Sequence, residues 1–229
     1  MHKKGIYEKY FKRPFDVLVS ILSIILLSPL IAAVAITVRI KLGFPVIFKQ
    51  QRPGLNENVF TLYKFRTMND KKDKQGNLLQ DGERLTKFGK FLRSTSLDEL
   101  PEIINILKGN MSIVGPRPQL IEDKMFMTDE QRLRHCVRPG LTGLAQINGR
   151  NNISWDEKFQ LDLEYIKNIT FWGDIKIIII TAIKVFKRSD ITEKGKDTGD
   201  NLGQYLLNTN KINEKQYKDI IDKGATDNS

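Results

Sequence analysis

Two adjacent carboxylates, Asp98 and Glu99, sit in the stretch Arg93-Ser-Thr-Ser-Leu-Asp-Glu-Leu100, and arginines flank them at 93 and 117. Carboxylates among guanidinium groups suit phosphoryl transfer. The arginines neutralise phosphate oxygens, and a carboxylate serves as ligand to a hard cation or as nucleophile. Pro116 and Pro118 enclose Arg117, which fixes the backbone on both sides and preorganises the side chain. Lys64 adds an ammonium, and Arg138 and Arg150 bracket a segment with glycines at 140, 143 and 149. That segment is neither a Walker motif nor a convincing G-x-G-x-x-G, but it can present N–H groups and guanidinium forks to phosphate. Plainer readings stand beside these. Asp98 and Glu99 can simply cap a helix, and the glycine segment can be a packed turn. Spacing alone leaves both pairs open.

The elements that must hold these groups follow from local pattern. Ser96-Leu-Asp-Glu99 reads as a capping box, with Leu97, Leu100, Ile103, Ile104 and Leu107 at helical spacing behind it. Lys108-Gly109 is the expected end. Pro101 lies too deep for a helix capped at Ser96, since its ring would meet the carbonyl of Leu97; a start with Asp98 at the cap removes that conflict. Either register places the acids where the helix dipole favours anions. Pro45-Val-Ile-Phe48 and Val59-Phe-Thr-Leu-Tyr63 read as strands around a turn at Arg52-Pro-Gly54, with Lys64 and Arg66 on one face. Residues 69–84 are polar and read as a surface loop, Met111–Val114 as a short buried strand, and 119–136 as a charged peripheral helix whose Cys136 is structural. Residues 154–170 form an expected helix with Trp155, Phe159, Leu163 and Ile166 on one face. Residues 171–188 suit a helix at a membrane interface, with a buried core helix as the alternative. From Ser189 the chain reads as a linker, one or two short helices and a frayed end, with no assigned chemistry.

The 229 residues carry a net charge of +10, which calls for an anionic partner. Nucleic acid fits poorly, because the aromatics sit at core-like spacings and no recognition motif appears. One cysteine excludes an internal disulfide, and two histidines leave too few ligands for a zinc site. Oxygen ligands for Mg²⁺ are plentiful. Val17–Val38 is uncharged over 22 residues, about 33 Å as a straight helix, enough to cross a hydrocarbon core of about 30 Å. A cleaved leader fits loosely. Basic residues flank both ends of the run, and Ser28-Pro29 lies near its middle. Proline frees a carbonyl that the Ser28 hydroxyl can satisfy. A helix broken there can dip into one leaflet and return; a kinked crossing helix is the competing reading.

The ordered motifs Phe15-Asp16 with Ser28-Pro29, Gln51-Arg-Pro-Gly54, Tyr63-Lys-Phe-Arg-Thr-Met68, Arg93–Leu100, Asn105–Ser112, Val114-Gly-Pro-Arg-Pro118, Arg138–Gly143 and Gln146-Ile-Asn-Gly-Arg150 resemble the bacterial sugar transferase family. Within it they look most like the small monotopic phosphoglycosyl transferases of the PglC type. The resemblance implies an α+β, helix-rich fold. Residues 1–43 would form a re-entrant membrane helix-break-helix hairpin broken at Ser28 and Pro29. Residues 44–190 would form the cytoplasmic catalytic domain, with short strands and interfacial helices, and 191–229 a polar tail. It implies transfer of a sugar 1-phosphate from a UDP-sugar to polyprenol (undecaprenyl) phosphate, releasing UMP, on the cytoplasmic face of the bacterial inner membrane and in contact with phospholipid. Asp98 would be the nucleophile and Glu99 its partner in holding Mg²⁺; Lys64, Arg93 and Arg117, then Arg138 and Arg150, would bind phosphate. The sugar expected first is an N-acetyl or diacetamido sugar. The alternatives are a glucose or galactose 1-phosphate transferase, or a non-catalytic adaptor for anionic lipid.

Overall fold

The computed structural model describes residues 4–149, 152–187 and 201–226. After a π-helical turn at Tyr7–Phe11, α1 (Lys12–Leu42) runs for 31 residues. Strands β1 (Ile47–Pro53) and β2 (Val59–Phe65) pair antiparallel, with Ile47 opposite Phe65 and Pro53 opposite Val59. Helices α2 (Asp81–Arg84), α3 (Lys87–Ser94) and α4 (Glu102–Lys108) follow. Next come β3 (Ser112–Val114), α5 (Ile121–Met125), α6 (Asp129–Arg132), β4 (Gly140–Thr142) and α7 (Leu144–Ile147). The longer helices α8 (Trp155–Lys167) and α9 (Phe171–Lys187) complete the body, and α10 (Leu202–Asn208) and α11 (Glu214–Thr226) close the described chain. β3 and β4 pair in parallel, Ser112 opposite Gly140. This helix-rich α+β architecture has two small sheets, as expected.

The main core joins Phe60 and Leu62 of β2 to Ile106, Met111, Ile113, Tyr165, Ile166 and Ile177. Alternation along β2 puts Phe60, Leu62 and Lys64 on one face, so the face that feeds the core carries Lys64 to Glu99 and Glu102 near the strand's end. Asn105, fully buried, ties α4 to β2: its amide nitrogen donates to Thr61 O at 2.7 Å and its oxygen accepts from Tyr63 N at 3.1 Å. The α4 helix ends at Gly109, in the left-handed region at φ 84°, as the Lys-Gly signal predicts. Arg13 donates to Ile106 O and Leu107 O at 2.6 and 2.9 Å, satisfying two carbonyls at that end.

Four expectations are corrected. Ser96 makes no capping bond and lies in the left-handed region at φ 54°, so Asp98 and Glu99 occupy a separate 3₁₀ turn, Leu97–Glu99. The α4 helix begins only after Pro101, where proline's fixed φ and missing N–H cost nothing. Residues 119–136 are three short pieces, because Thr128 and Gln131 form a new capping box and restart the helix. At Pro29 the helix does not break. Ser28 Oγ donates to Ile25 O at 2.9 Å, filling the bond that Pro29 cannot make, and α1 continues.

Both ends of α1 pack on the same body. Phe15 and Val19 join the main core, while Val34 and Val38 form a second cluster with Phe65 and Leu92. Asp16 accepts from Ile113 N at 3.0 Å, and Lys12, Tyr7 and Tyr165 converge on Asp174 of α9 at 2.5, 2.9 and 2.9 Å. Between these anchors Leu22, Ile25 and Leu26 are exposed. The most apolar part of the helix has a mean hydropathy of 2.7 with only 11% of it buried, so it is not a core helix. On α9, Trp172 and Phe186 are exposed while Asp174 and Ile177 are buried, so the helix serves the core on one side and exposes apolar groups on the other.

Candidate active site

The 3₁₀ turn that carries Asp98 and Glu99 is held between α3 and α4. Thr86 caps α3 by accepting from Gly89 N, and α3 leads to Arg93 and then the left-handed Ser96. A non-glycine residue in that region costs about 1–3 kcal/mol and persists where its surroundings fix it, often at functional sites. Asp98 and Glu99 are both buried. Glu99 Oε1 is clamped by Lys64 Nζ at 2.9 Å and Arg117 Nη2 at 2.7 Å. Glu102, at the start of α4, lies 3.1 Å from the same ammonium in an ion pair outside hydrogen-bond geometry. Among the described residues, no hydrogen bond or ion pair reaches the Asp98 carboxylate. Of two adjacent acids, one is locked and one is left open.

Electrostatics separate them further. Burial, reinforced by the neighbouring Glu99, pushes Asp98 above the usual carboxylate range. Burial likewise raises Glu102 to about 7. Burial alone would lower the Lys64 ammonium, but Glu102 and Glu99 outweigh it and hold it above its ordinary value. Glu99 stabilises the charged form of Arg117 most strongly. The backbone of Arg117 is braced from behind: Arg134 Nη2 donates to Arg117 O at 2.8 Å while pairing with the buried Asp162 at 2.6 Å.

A cavity of about 710 Å³ opens over this constellation, and Lys64, Arg93, Asp98, Glu99 and Arg117 all line it. Arg93 is oriented by its Nε donating to Thr67 Oγ1 at 3.2 Å. The structure does not bring Arg138 there. Its Nε donates to Gly109 O at 2.8 Å, at the end of α4. Arg150 lies outside the described residues, and Ser28 and Pro29 belong to α1. Two cavity residues escaped the residue-by-residue reading. Arg52 lines the cavity with Nη2 donating to Gln50 Oε1 at 2.6 Å, and burial together with nearby Arg117 lowers it to about 10. The motif Gln51-Arg-Pro-Gly54 was the available signal for it. Glu102 was hidden by the wrong helix start, which concealed its position beside the acids.

The donor set in the cavity suits a hard cation. Asp98 and Glu99 offer only oxygen, and among the described residues no three His, Cys, Asp or Glu side chains form a ready metal cage. Mg²⁺ is commonly held by one or two carboxylates and completed by substrate phosphates, so these residues fit it.

Residues 7–188 match the family described as bacterial sugar transferase. The chain belongs to that family. An uncharacterised sugar transferase of Bacillus subtilis, EpsL, is 50% identical over 182 residues, covering 80% of this chain and 90% of its own. The UDP-glucose:undecaprenyl-phosphate glucose-1-phosphate transferase of Escherichia coli is 41% identical, covering 78% of this chain. The undecaprenyl-phosphate galactose phosphotransferase of Salmonella typhimurium is 38% identical, covering 79%. This sugar transferase spans about two-fifths of the length of each of the last two, 41% in both cases.

Proposed function

We propose that the protein transfers a hexose 1-phosphate, of glucose or galactose, from its UDP derivative to a polyprenol phosphate such as undecaprenyl phosphate. The observation that carries this is the open carboxylate of Asp98 beside a Glu99 locked by Lys64 and Arg117, in a family whose named relatives move these sugars. Those names favour the hexose over the N-acetylated sugar expected first. Asp98 attacks the sugar-bearing phosphorus. An Asp98 oxygen–phosphorus bond forms, the bond to the bridging pyrophosphate oxygen breaks, and UMP leaves with the electron pair. A polyprenol phosphate oxygen then attacks the same phosphorus, and Asp98 departs as a carboxylate. Arg117 and Lys64 stabilise the charge that develops on the departing phosphate, and Arg93 and Arg52 help orient the diphosphate. Asp98 and Glu99 are the residues that would hold Mg²⁺, which when bound supplies further neutralisation of phosphate charge.

The setting is the cytoplasmic face of the bacterial inner membrane. α1 is read as entering and leaving the membrane on one side, supported by its two anchored ends and exposed apolar middle. Trp172 and Phe186 of α9 suit the phospholipid interface. The test is UMP release from a panel of UDP-sugars in the presence of undecaprenyl phosphate. UMP from UDP-glucose or UDP-galactose is expected; release from UDP-N-acetylhexosamines alone contradicts the hexose assignment.

A further inference from the structure

The two faces of the β1–β2 pair meet different neighbours. On one face Ile47 and Phe65 lie opposite each other and pack with Val38 and Leu42 at the end of α1. Leu97 and Leu100, on either side of the two acids, join the same cluster, so the catalytic turn is seated on the end of α1. On the other face Phe48 lies directly opposite Lys64, whose ammonium holds Glu99. Phe48, Gln50 and Arg52 all line the cavity, as alternation along one strand requires. Four residues of strand span about 13 Å. The β1 wall of the cavity therefore carries a ring near the end of α1 and a guanidinium well removed from it.

Phe48 is out of place in a wall built for phosphate. It is 47% exposed, whereas Leu62, Phe65 and Trp155, which line the same cavity, are buried. Among the described residues it belongs to none of the clusters that form the core. A ring left in water forgoes the stabilisation of burial, so an apolar ligand that covers it recovers that term. Pro45, also exposed, extends the cavity wall towards α1. A polyprenol phosphate joins an apolar chain to a phosphate, and its chain leaves the membrane where α1 does. Phe48 meets the chain on the way to the ammonium beside Asp98. A UDP-sugar has no apolar chain, and its diphosphate matches the guanidinium of Arg52 instead.

We propose that Phe48 carries the first isoprene units of the acceptor, on a path that enters by Pro45 and ends with the lipid phosphate beside Lys64 and Asp98. The proposal rests on the transferase reading above. The test separates the two halves of the reaction in the full-length protein in detergent micelles. One readout is the burst of UMP from UDP-glucose or UDP-galactose before acceptor is added; the other is the KM for undecaprenyl phosphate. Phe48→Ser is expected to raise that KM roughly five- to tenfold, the worth of covering about half of one aromatic side chain. It is expected to leave the burst and the KM for the UDP-sugar unchanged. Phe48→Leu, still apolar, is expected to raise the acceptor KM less than Phe48→Ser. Phe44 is 70% exposed and lies outside the cavity lining, so Phe44→Ser controls for general loss of membrane contact. An unchanged acceptor KM in Phe48→Ser overturns the proposal, as does an equal rise in Phe44→Ser. A rise in the UDP-sugar KM that matches the acceptor's also overturns it, because the ring then serves the nucleotide. No UMP release by the wild type from any UDP-sugar overturns the transferase reading and this one with it.

Discussion

At the scale of single residues, the site rests on a division of labour between neighbours. Glu99 is fixed by Lys64 and Arg117, and Asp98 is not. Asp98→Asn is expected to abolish turnover in protein checked by mass for deamidation, and activity near that of the wild type would contradict its role. Arg117→Ala is expected to lower kcat by about 10²–10³, the usual worth of one preorganised charge-stabilising group. The raised Asp98 moves the acid limb of the activity profile upward, since only the carboxylate attacks. Glu102 gives a separate signature. Its proton is lost near 4.5 in the unfolded chain and near 7 in the folded one, so the folded state holds the extra proton between those values. Stability from this group therefore falls as pH rises through that window. Thermal melts at pH 5 and pH 8 should show a smaller loss of Tm in Glu102→Gln than in the wild type; parallel losses would contradict the assignment. The gathering of Asp98, Glu99, Lys64, Arg93 and Arg117 in one cavity was legible because their types are unusual together. That Arg138 lies at the end of α4 and not in this cavity was not legible, because a guanidinium serves a helix end as readily as a phosphate.

At the scale of elements, short pieces are held by side chains that reach across the chain. Arg134 pairs with Asp162, both almost fully buried, and also donates to Arg117 O. Removing one partner of a buried pair leaves an uncompensated charge, at about 3–5 kcal/mol. Arg134→Met should lower Tm accordingly. Adding Asp162→Leu should recover most of the stability but not the turnover, because Arg117 stays unbraced. Recovery of full activity by the double variant would remove Arg134 from the positioning of the site. The β3–β4 pair depends on close approach: a Cβ at Gly140 would lie 2.1 Å from Gly115 N, beside the Pro-Arg-Pro turn. Gly140→Ala is expected to yield misfolded protein, read out by loss of a cooperative melt. Local signals with complete stereochemistry were readable, as with Gly109 at the end of α4 and the apolar face of α8. The box at Ser96 was not real, because Pro101 forbids the helix that would use it, and the chain resolves the conflict with a separate 3₁₀ turn. The continuity of α1 through Pro29 turned on one hydroxyl that composition could not weigh.

At the scale of the whole molecule, a basic catalytic body is fastened to both ends of one long apolar helix. A re-entrant path predicts that single cysteines at Lys4 and Lys49 label from the same side of the membrane, and labelling from opposite sides would establish a crossing helix. The fold class was readable because hydrophobic runs and strand alternation are local properties. The docking of residues 201–226 was not, since it depends on long-range contacts such as Leu202 with Asp123 and Phe126 with Tyr217. The central claim is that the sugar phosphate passes through Asp98. Intact-mass measurement of the full chain after mixing with UDP-glucose or UDP-galactose, without polyprenol phosphate, tests it most directly. The account predicts an added hexose phosphate on Asp98 in the wild type, absent from Asp98→Asn and discharged by undecaprenyl phosphate. UMP release with no adduct, or an adduct that survives in Asp98→Asn, would contradict it.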